Sequence, residues 1–364
     1  METVGLNFPE MFDGIYRGRT VLVTGHTGFK GSWLSLWLHL MGANVIGYAL
    51  DPLSQQDNFI LSGLPDKMVD IRGNILDAST LKQVFTTYQP EIVFHLAAQP
   101  IVRHSYKMPV LTFETNVMGT VHVLENIRTS STVKTGVIIT SDKCYENQEQ
   151  LWGYREKDPL GGYDPYSASK GCAEIVTASY RKAFFSTDSG GKQEKSLASV
   201  RAGNVIGGGD WSDCRLLPDC IRALQSQKTI EIRNPNSIRP WQHVLEPLYG
   251  YLLLAAKMFK DGSRYSGAWN FGPDFDSVAP VKKVVEQVIE LWGSGRWVDC
   301  SNQAALHEAV LLSLDCTKAK TLLGWQPRLT LHKALDYTLA WYKNDTQKDI
   351  DQLCKEQIAE YCMT

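Results

Sequence analysis

The chain has 364 residues, of which 43% are hydrophobic and 21% are charged, and its formal net charge is −2. This balance is ordinary for a globular enzyme and argues against a nucleic-acid surface or a polybasic membrane contact. No basic start followed by an apolar run precedes Arg19, and no apolar stretch reaches membrane-spanning length. The eight cysteines are scattered without a CxxC pair, which disfavours metal and disulfide sites. We therefore expect a cytoplasmic protein with no metal, nucleic-acid or membrane partner.

The glycine-rich stretch Thr20–Gly31, TVLVTGHTGFKG, joins a predicted strand to a predicted helix. Thr20–Thr24 is β-branched and apolar, and an apolar-rich segment runs from Phe29 to about Gly42. Glycines at such a turn let a phosphate approach the backbone, while free N–H groups and the helix dipole favour its negative charge. The stretch therefore predicts a nucleotide-binding turn, whose candidate residues are Gly25, Thr27, Gly28, Phe29 and Gly31.

Asp51 follows the second predicted strand, Ala43–Leu50. A carboxylate at this place in a nucleotide-binding unit accepts hydrogen bonds from a ribose diol and repels a 2′-phosphate. No Arg or Lys occurs in Pro52–Gln56, so NAD is favoured over NADP as the cofactor. The structural alternative is that Asp51 only starts the turn with Pro52.

Strands and helices continue to alternate along the chain, which implies right-handed crossovers and an α/β fold with a doubly wound parallel sheet. Ligands of such sheets bind at the carboxyl ends of the strands. Asp51, Ala97–Gln99 and Ser141–Lys143 all fall at such ends. The further predicted strands are Met68–Ile71, Glu91–Leu96, Lys134–Thr140, Ser196–Ala202 and Ala268–Phe271, and long helices are predicted at Pro109–Arg128 and Tyr163–Phe185.

Tyr166 and Lys170, in the sequence YSASK, are four residues apart on a predicted helix and therefore share a face. A lysine ammonium beside a tyrosine favours the phenolate, so we expect it to lower the pKa of Tyr166. Such a phenol can take a proton from a sugar hydroxyl while a hydride leaves for a nicotinamide. Ser141, at the end of the fifth strand, can hydrogen-bond the same hydroxyl. The alternative, a surface Tyr–Lys pair, is disfavoured by the glycine turn that precedes it.

These motifs together resemble the extended short-chain dehydrogenase/reductase family, over nearly the whole chain. The family comprises nucleotide-sugar epimerases, dehydratases and decarboxylases. The resemblance implies a Rossmann domain with a smaller C-terminal nucleotide-sugar domain, and a bound NAD(P) that is usually recycled within one turnover. The motifs are TGHTGFKG, HLAAQP, Asn116 in TNVMGT, TSDKCY, YSASK, RAGNVIG and LGWQP at Leu323–Pro327.

The segment Thr140–Tyr145, TSDKCY, distinguishes among the activities of the family. Nucleotide-sugar 4,6-dehydratases carry Ser/Thr-Asp-Glu here, with the Asp as general acid on the departing 6-hydroxyl and the Glu helping to remove the C5 proton. Ser141 and Asp142 match this pattern, whereas Lys143 replaces the Glu. A lysine could act as the C5 base or, as a cation, stabilise the enolate. The Asp-Lys version resembles the branch of the dehydratases that acts on CDP-glucose and feeds deoxysugar synthesis for surface polysaccharides such as the lipopolysaccharide O-antigen.

Three alternatives remain open from the sequence. The chain could be an epimerase or reductase on another nucleotide sugar, with Asp142 incidental. It could be a dehydratase for a dTDP-, GDP- or UDP-linked sugar. It could also be a non-catalytic dinucleotide sensor, although the full set of Ser141, Tyr166 and Lys170 argues against that role.

The resemblance also implies a domain organisation and further site residues. The Rossmann domain spans 1–205, with 238–272 returning to it, and 206–237 with 273–345 form the nucleotide-sugar domain. Apolar residues at near-helical spacing in 346–364 predict a terminal helix. Relatives form homodimers or homotetramers. Implied cofactor-binding residues are Asn74, Ile75, Leu96, Ala97, Ala98, Gln99, Asn116, Tyr166 and Lys170, and candidate substrate-binding residues are Ser105, Asn204, Arg215, Arg239 and His307.

Overall fold

The strands of the chain alternate with helices in a computed structural model that describes residues 6–185, 195–301, 311–344 and 349–364. In chain order the strands are β1 (Thr20–Thr24), β2 (Asn44–Ala49), β3 (Val69–Arg72), β4 (Ile92–His95), β5 (Thr135–Ile139), β6 (Ser196–Arg201), β7 (Val205–Ile206), β8 (Ile230–Ile232), β9 (Ile238–Pro240), β10 (Gln242–His243), β11 (Gly267–Asn270), β12 (Val278–Pro280) and β13 (Trp297–Asp299).

The α-helices are, in chain order, α1 (Phe29–Leu40), α2 (Asn58–Leu61), α3 (Ala78–Tyr88), α4 (Val102–Lys107), α5 (Pro109–Phe113), α6 (Gly119–Thr129), α7 (Pro165–Phe184), α8 (Leu216–Gln225), α9 (Leu245–Asp261), α10 (Val281–Trp292), α11 (Leu331–Lys343) and α12 (Ile350–Met363). The helix predicted at Pro109–Arg128 is α5 and α6 joined by a π-helical turn at Glu114–Met118. The helix α4 was not predicted.

One seven-stranded sheet organises the molecule, with the strand order β11-β6-β5-β4-β1-β2-β3. All neighbouring strands in it run parallel, which confirms the predicted doubly wound parallel sheet. The edge strand β11 pairs with β6, so the chain returns to the sheet after residue 238. The remaining strands form two-stranded sheets beside it, of which β8 and β13 are one pair. The division into two domains stays a prediction.

Both faces of the sheet are buried under helices, because successive side chains of a strand point to opposite faces. In β1, Val21 and Val23 join the larger core cluster with Trp37 of α1. Leu22 points to the other face and joins a second cluster with Leu124 of α6. The continuous apolar run of β1 is therefore explained by burial on both faces. The parallel arrangement also brings the carboxyl ends of β1, β2, β4 and β5 to one edge.

The C-terminal helix α12 packs against α1, α2 and α11. A buried carboxylate fixes its last turn: Glu246 Oε2 accepts a 2.8 Å hydrogen bond from the Tyr361 hydroxyl. Glu246 Oε1 accepts the backbone N–H groups of Arg328 at 2.8 Å and Leu329 at 2.7 Å. Burial raises the pKa of Glu246, partly offset by these hydrogen bonds. The helix predicted at 346–364 thus begins at Ile350 in the structure, and residues 346–348 lie outside the described residues.

We expect Tyr361→Phe to lower the free energy of unfolding by about 1–3 kcal/mol, because the buried carboxylate oxygen of Glu246 loses its hydroxyl donor. The midpoint of denaturant unfolding measures this loss. Tyr251→Phe is the matched control, since the hydroxyl of Tyr251 is equally buried but has no hydrogen-bond partner in the described chain. Equal midpoints for the two variants would contradict this account of the helix anchor.

Candidate active site

The turn after β1 lies against the loop after β4. Gly25 has a φ of +76°, and a Cβ there would lie 2.7 Å from the backbone nitrogen of Ala97. A side chain at this position would therefore be strained and would clash with the neighbouring backbone. Gly28 precedes α1 as its N-cap, and no side chain caps this helix end. The first N–H groups of α1 thus stay available to an anion.

A single cavity of about 1260 Å³ extends from this turn along the carboxyl ends of the strands. It brings together the residues predicted for the cofactor, the reaction and the substrate, apart from three. The predicted residues that line it are Gly25, Thr27, Gly28, Phe29, Gly31, Asp51, Asn74, Ile75, Leu96, Ala97, Ala98, Gln99, Ser141, Asp142, Lys143, Tyr166, Lys170, Asn204, Arg215 and Arg239.

Two predicted contact residues lie behind the cavity wall. Ser105 is fully buried in α4, and its hydroxyl donates to the Val102 carbonyl one turn earlier, so it does not line the cavity and its substrate role stays a prediction. The amide of Asn116 is buried and occupied: its oxygen accepts from the Gln99 N–H at 2.8 Å, and its nitrogen donates to Ser169 at 2.9 Å. Asn116 therefore positions the loop after β4 against α7. His307 lies outside the described residues.

Beside Asp51 lies an arginine that the sequence argument did not consider. Arg72, the last residue of β3, lies with one guanidinium nitrogen 3.9 Å from Asp51 Oδ1. It also donates to Asp70 at 2.7 Å. Because β3 pairs with β2, residue 72 lies opposite Ala49, two residues before Asp51. The absence of a basic residue in Pro52–Gln56 therefore did not exclude one beside Asp51.

Ser141 and Asp142 form the reactive end of β5. The Ser141 hydroxyl donates to Asp142 Oδ1 at 3.0 Å and is hydrogen-bonded to Tyr166. Asp142 is fully buried, and its Oδ2 has no hydrogen-bond partner among the described residues. A Cβ at Gly203 would lie 1.7 Å from this oxygen. The carboxylate therefore occupies space that only a glycine at position 203 leaves free.

Tyr166 and Lys170 lie on the first two turns of α7, whose N-terminus is capped by the Asp164 side chain. Burial raises the pKa of Tyr166 to about 12, and its hydrogen bond to Ser141 offsets this only in part. The expected lowering is therefore wrong for this structure, because loss of hydration of the phenolate outweighs the nearby cations. Burial also lowers the pKa of Lys170 to about 8, and its ammonium donates to the Ile139 carbonyl at 3.3 Å.

A buried polar network connects α7, which carries Tyr166 and Lys170, to the segment after β5. Glu174, one turn after Lys170, pairs with Arg201 of β6 at 2.8 Å and accepts from the Thr140 hydroxyl at 2.5 Å. Arg201 also donates to the Tyr145 hydroxyl at 2.7 Å. Burial by itself raises the pKa of Glu174, but Arg201 and the hydrogen bonds lower it overall. Both ends of the Thr140–Tyr145 segment are thus tied to one ion pair.

The residues predicted for the substrate, apart from Ser105 and His307, also line the cavity. Asn204 has a φ of +47°, and its buried Nδ2 has no hydrogen-bond partner in the described chain. Arg215 pairs with Asp210 at 3.1 Å, and Arg239 donates to the Ile238 carbonyl at 2.9 Å. Two cationic side chains and an unused amide donor at one wall suit an anionic, hydroxyl-rich ligand.

Sequence reasoning missed Lys30, which lines the same cavity in the glycine turn. A charged side chain between Phe29 and Gly31 was the available signal, because the rest of α1 up to Leu38 is predominantly buried.

Across the described ranges, no helix has the length and apolarity needed to cross a membrane. No cluster of His, Cys, Asp or Glu among those same residues could hold a metal ion.

Comparisons with known proteins agree with this arrangement. A CDP-glucose 4,6-dehydratase of Salmonella typhimurium is 49% identical over 349 residues, covering 95% of this chain and 97% of the relative. Two solved structures share the fold at 21% identity. One is a UDP-glucose 4-epimerase of Thermotoga maritima with UDP-glucose, with a TM-score of 0.77 and coverage of 89% of this chain and 99% of that one.

The second solved structure is a dTDP-glucose 4,6-dehydratase of Bacillus anthracis in complex with NAD, with a TM-score of 0.74 and coverage of 92% of this chain and 100% of that one. The profile of the family described as GDP-mannose 4,6 dehydratase matches residues 22–338. This match spans most of the chain and includes the glycine turn and the Tyr166–Lys170 pair. The chain therefore belongs to the GDP-mannose 4,6 dehydratase family, within the extended short-chain dehydrogenases/reductases.

Proposed function

We propose that this chain dehydrates CDP-glucose to CDP-4-dehydro-6-deoxyglucose, with NAD as a cofactor that is regenerated in each turnover. Asp142 carries the proposal, as a fully buried carboxylate beside Ser141 and Tyr166 with one oxygen unused in the described chain. A dehydratase needs an acid for its departing hydroxyl, whereas a 4-epimerase expels no hydroxyl. The 49% identity to the Salmonella CDP-glucose 4,6-dehydratase supports the same reaction and the same base.

The residues of the glycine turn fit a dinucleotide. The uncapped N-terminus of α1 and the exposed backbone of Gly28 offer N–H groups to its phosphates. Asp51, which follows Leu50 beside the same turn, is the acceptor for a ribose diol. When bound, NAD accepts a hydride from C4 of the sugar and returns it to C6.

The side chains around β5 and α7 manage the protons of this reaction. Tyr166 takes the proton of the 4-hydroxyl, and Ser141, which is hydrogen-bonded to Tyr166, orients that hydroxyl. Lys170 contributes a nearby positive charge that favours the phenolate during the transfer. Asp142 protonates the departing 6-hydroxyl, which leaves as water, while Lys143 takes the C5 proton and returns it when the hydride reaches C6. The proton that Tyr166 gains balances the one that Asp142 loses.

The substrate occupies the part of the cavity that is lined by Asn204, Arg215 and Arg239. Arg215 and Arg239 hold its diphosphate, and Asn204 donates its unused amide group to the ligand. A 4-keto-6-deoxy sugar nucleotide is a precursor for the deoxysugars of surface polysaccharides such as O-antigen. Both ligands are small, soluble metabolites, which supports a cytoplasmic site of action.

We infer that the chain forms a homodimer or a homotetramer through α5, α6 and α7. Large apolar side chains on α5, on α7 and at the end of the π-helical turn before α6 are solvent-exposed, which favours their burial against a second copy. A solution mass equal to that of one chain would contradict this inference. The exposed side chains are Val110, Phe113, Met118, Ile175 and Phe184.

We expect the protein, incubated with CDP-glucose and NAD, to yield a product that is lighter by one water and shows the alkaline absorbance of a 4-keto sugar. CDP-glucose should be preferred over dTDP-, GDP- and UDP-linked sugars in the same mass assay. An epimer of unchanged mass would replace this proposal by the epimerase alternative. If only a dTDP-, GDP- or UDP-linked sugar were dehydrated, the proposed reaction would stand, but the proposed preference for the cytosine base would be overturned.

We expect Asp142→Asn to reduce the dehydration rate by about 10²–10⁴-fold, because an amide cannot protonate the departing hydroxyl. The rate of product formation at saturating CDP-glucose measures the effect. Reduced nicotinamide should accumulate on the enzyme, because Tyr166 and Lys170 still support removal of the hydride. Wild-type dehydration by this variant would remove Asp142 from the mechanism.

A substitution that leaves Asp142 in place tests its position separately. In Gly203→Ala the added methyl group would lie 1.7 Å from Asp142 Oδ2, so the carboxylate must move and kcat should fall with little change in KM. Gly171→Ala on α7 is the matched control, because the nearest atoms to its new Cβ are at 3.4 Å. Similar losses in both variants would point to general disruption of the fold.

We expect Asp51→Asn to raise the affinity for NADP relative to NAD by roughly tenfold. The change removes the carboxylate that repels a 2′-phosphate and leaves Arg72 to pair with that phosphate. Titration calorimetry with both dinucleotides measures the ratio of affinities. The double variant Asp51→Asn/Arg72→Ala should lose the gain, and a gain of the same size in the double variant would exclude Arg72 as its source.

A further inference from the structure

Lys30 is a cation within the glycine turn that the reaction described above does not use. It is the second residue of α1, where the helix dipole disfavours a positive charge. Its side chain lines the cavity and is half-buried. Its ammonium forms no hydrogen bond or ion pair with the described part of the chain. An unpartnered cation in this unfavourable place indicates a ligand of opposite charge.

The charges that face Lys30 come from three other elements. Asp142 follows β5, Lys170 lies on α7, and Asp210 and Arg215 belong to the segment between β7 and α8. Arg215 is already paired with Asp210 at 3.1 Å, and Lys170 donates to the Ile139 carbonyl. This group thus contains three cationic side chains and two carboxylates, and Lys30 is a cationic side chain of the group with no ion pair in the described chain.

Burial and the neighbouring Arg215 lower the pKa of Lys30 to about 7, against the opposing effect of Asp142. The ammonium is therefore only partly populated near neutral pH when no anion is present. An anion bound beside it would raise this pKa again and fix the charge. Binding of that anion should consequently take up a proton above neutral pH.

We propose that Lys30 is a phosphate-binding residue of this cavity, whose ammonium contacts a diphosphate of one of the two ligands. The inference rests on the proposed function, because it assumes that the dinucleotide and the sugar nucleotide, each of which carries a diphosphate, both bind in this cavity. Two sources share this chemistry, the dinucleotide and the sugar nucleotide. Lys30 thus adds a side-chain contact to the backbone N–H groups that begin α1.

Binding of two fragments to Lys30→Met, measured by titration calorimetry, distinguishes the sources. ADP-ribose carries the diphosphate of the dinucleotide, and CDP carries that of the sugar nucleotide. We expect affinity for one of them to fall about 10- to 100-fold and affinity for the other to stay near wild type. Lys30→Arg, which keeps the charge, should retain the affinity. Wild-type affinity of Lys30→Met for both fragments overturns the inference.

The pH dependence separates charge from a merely structural effect. For the affected fragment, the affinity of the wild-type protein should be maximal below about pH 7. It should decline towards about pH 9, because Lys30 loses its proton over this range. Lys30→Arg should lack this decline. Lys30→Met, whose affinity is already weak, should also lack it. Any pH dependence that remains in Lys30→Met measures the contribution of Lys170 and is subtracted from the wild-type curve. An unchanged decline in Lys30→Met overturns the inference. A wild-type chain that binds neither fragment overturns the proposed function as well.

Discussion

The buried ion pair between Glu174 and Arg201 holds the reactive part of this protein together. Both side chains are almost fully buried, at 2% and 3% exposure, and the pair joins the middle of α7 to β6. Removing one partner of such a pair typically costs about 3–5 kcal/mol, because the other charge is left buried and unpaired. Thr140 and Tyr145, which flank the reactive segment, bond to the same two side chains. The distance between α7 and β5 is therefore set by this network.

The consequence for chemistry is that the proton-handling groups are positioned by buried elements. Tyr166 and Lys170 lie on α7, two turns and one turn before Glu174 respectively, and Ser141 and Asp142 follow β5. Burial of these groups also sets their acid–base properties, raising the pKa of Tyr166 and lowering that of Lys170. Tyr166 can therefore accept a proton from the substrate only as its phenolate, which burial disfavours. The cofactor and substrate, when bound, complete the electrostatic environment that the protein begins.

Local patterns in the sequence were sufficient for most of the fold. Alternating apolar strands and helices predicted the parallel sheet, and the boundaries of β1, β2 and α7 fall within a few residues of those expected. The glycine turn and the Tyr166–Lys170 spacing are contained in short stretches of chain, so their geometry follows from local conformation. The π-helical turn at Glu114–Met118 was not predicted, and it carries Asn116, whose buried hydrogen bonds with Gln99 and Ser169 join segments that are distant along the chain.

The sequence by itself determined the fold class, the nucleotide-binding turn and the residue types of the reactive centre, because each depends on neighbours along the chain. Tertiary structure decided what depends on neighbours in space. Pairing of β2 with β3 placed Arg72 beside Asp51, and the orientation of α4 turned Ser105 away from the cavity. Burial reversed the expected change in the pKa of Tyr166. The charged groups that face Lys30 come from segments more than 100 residues away along the chain. Their effect on the pKa of Lys30 therefore cannot be predicted from the local sequence.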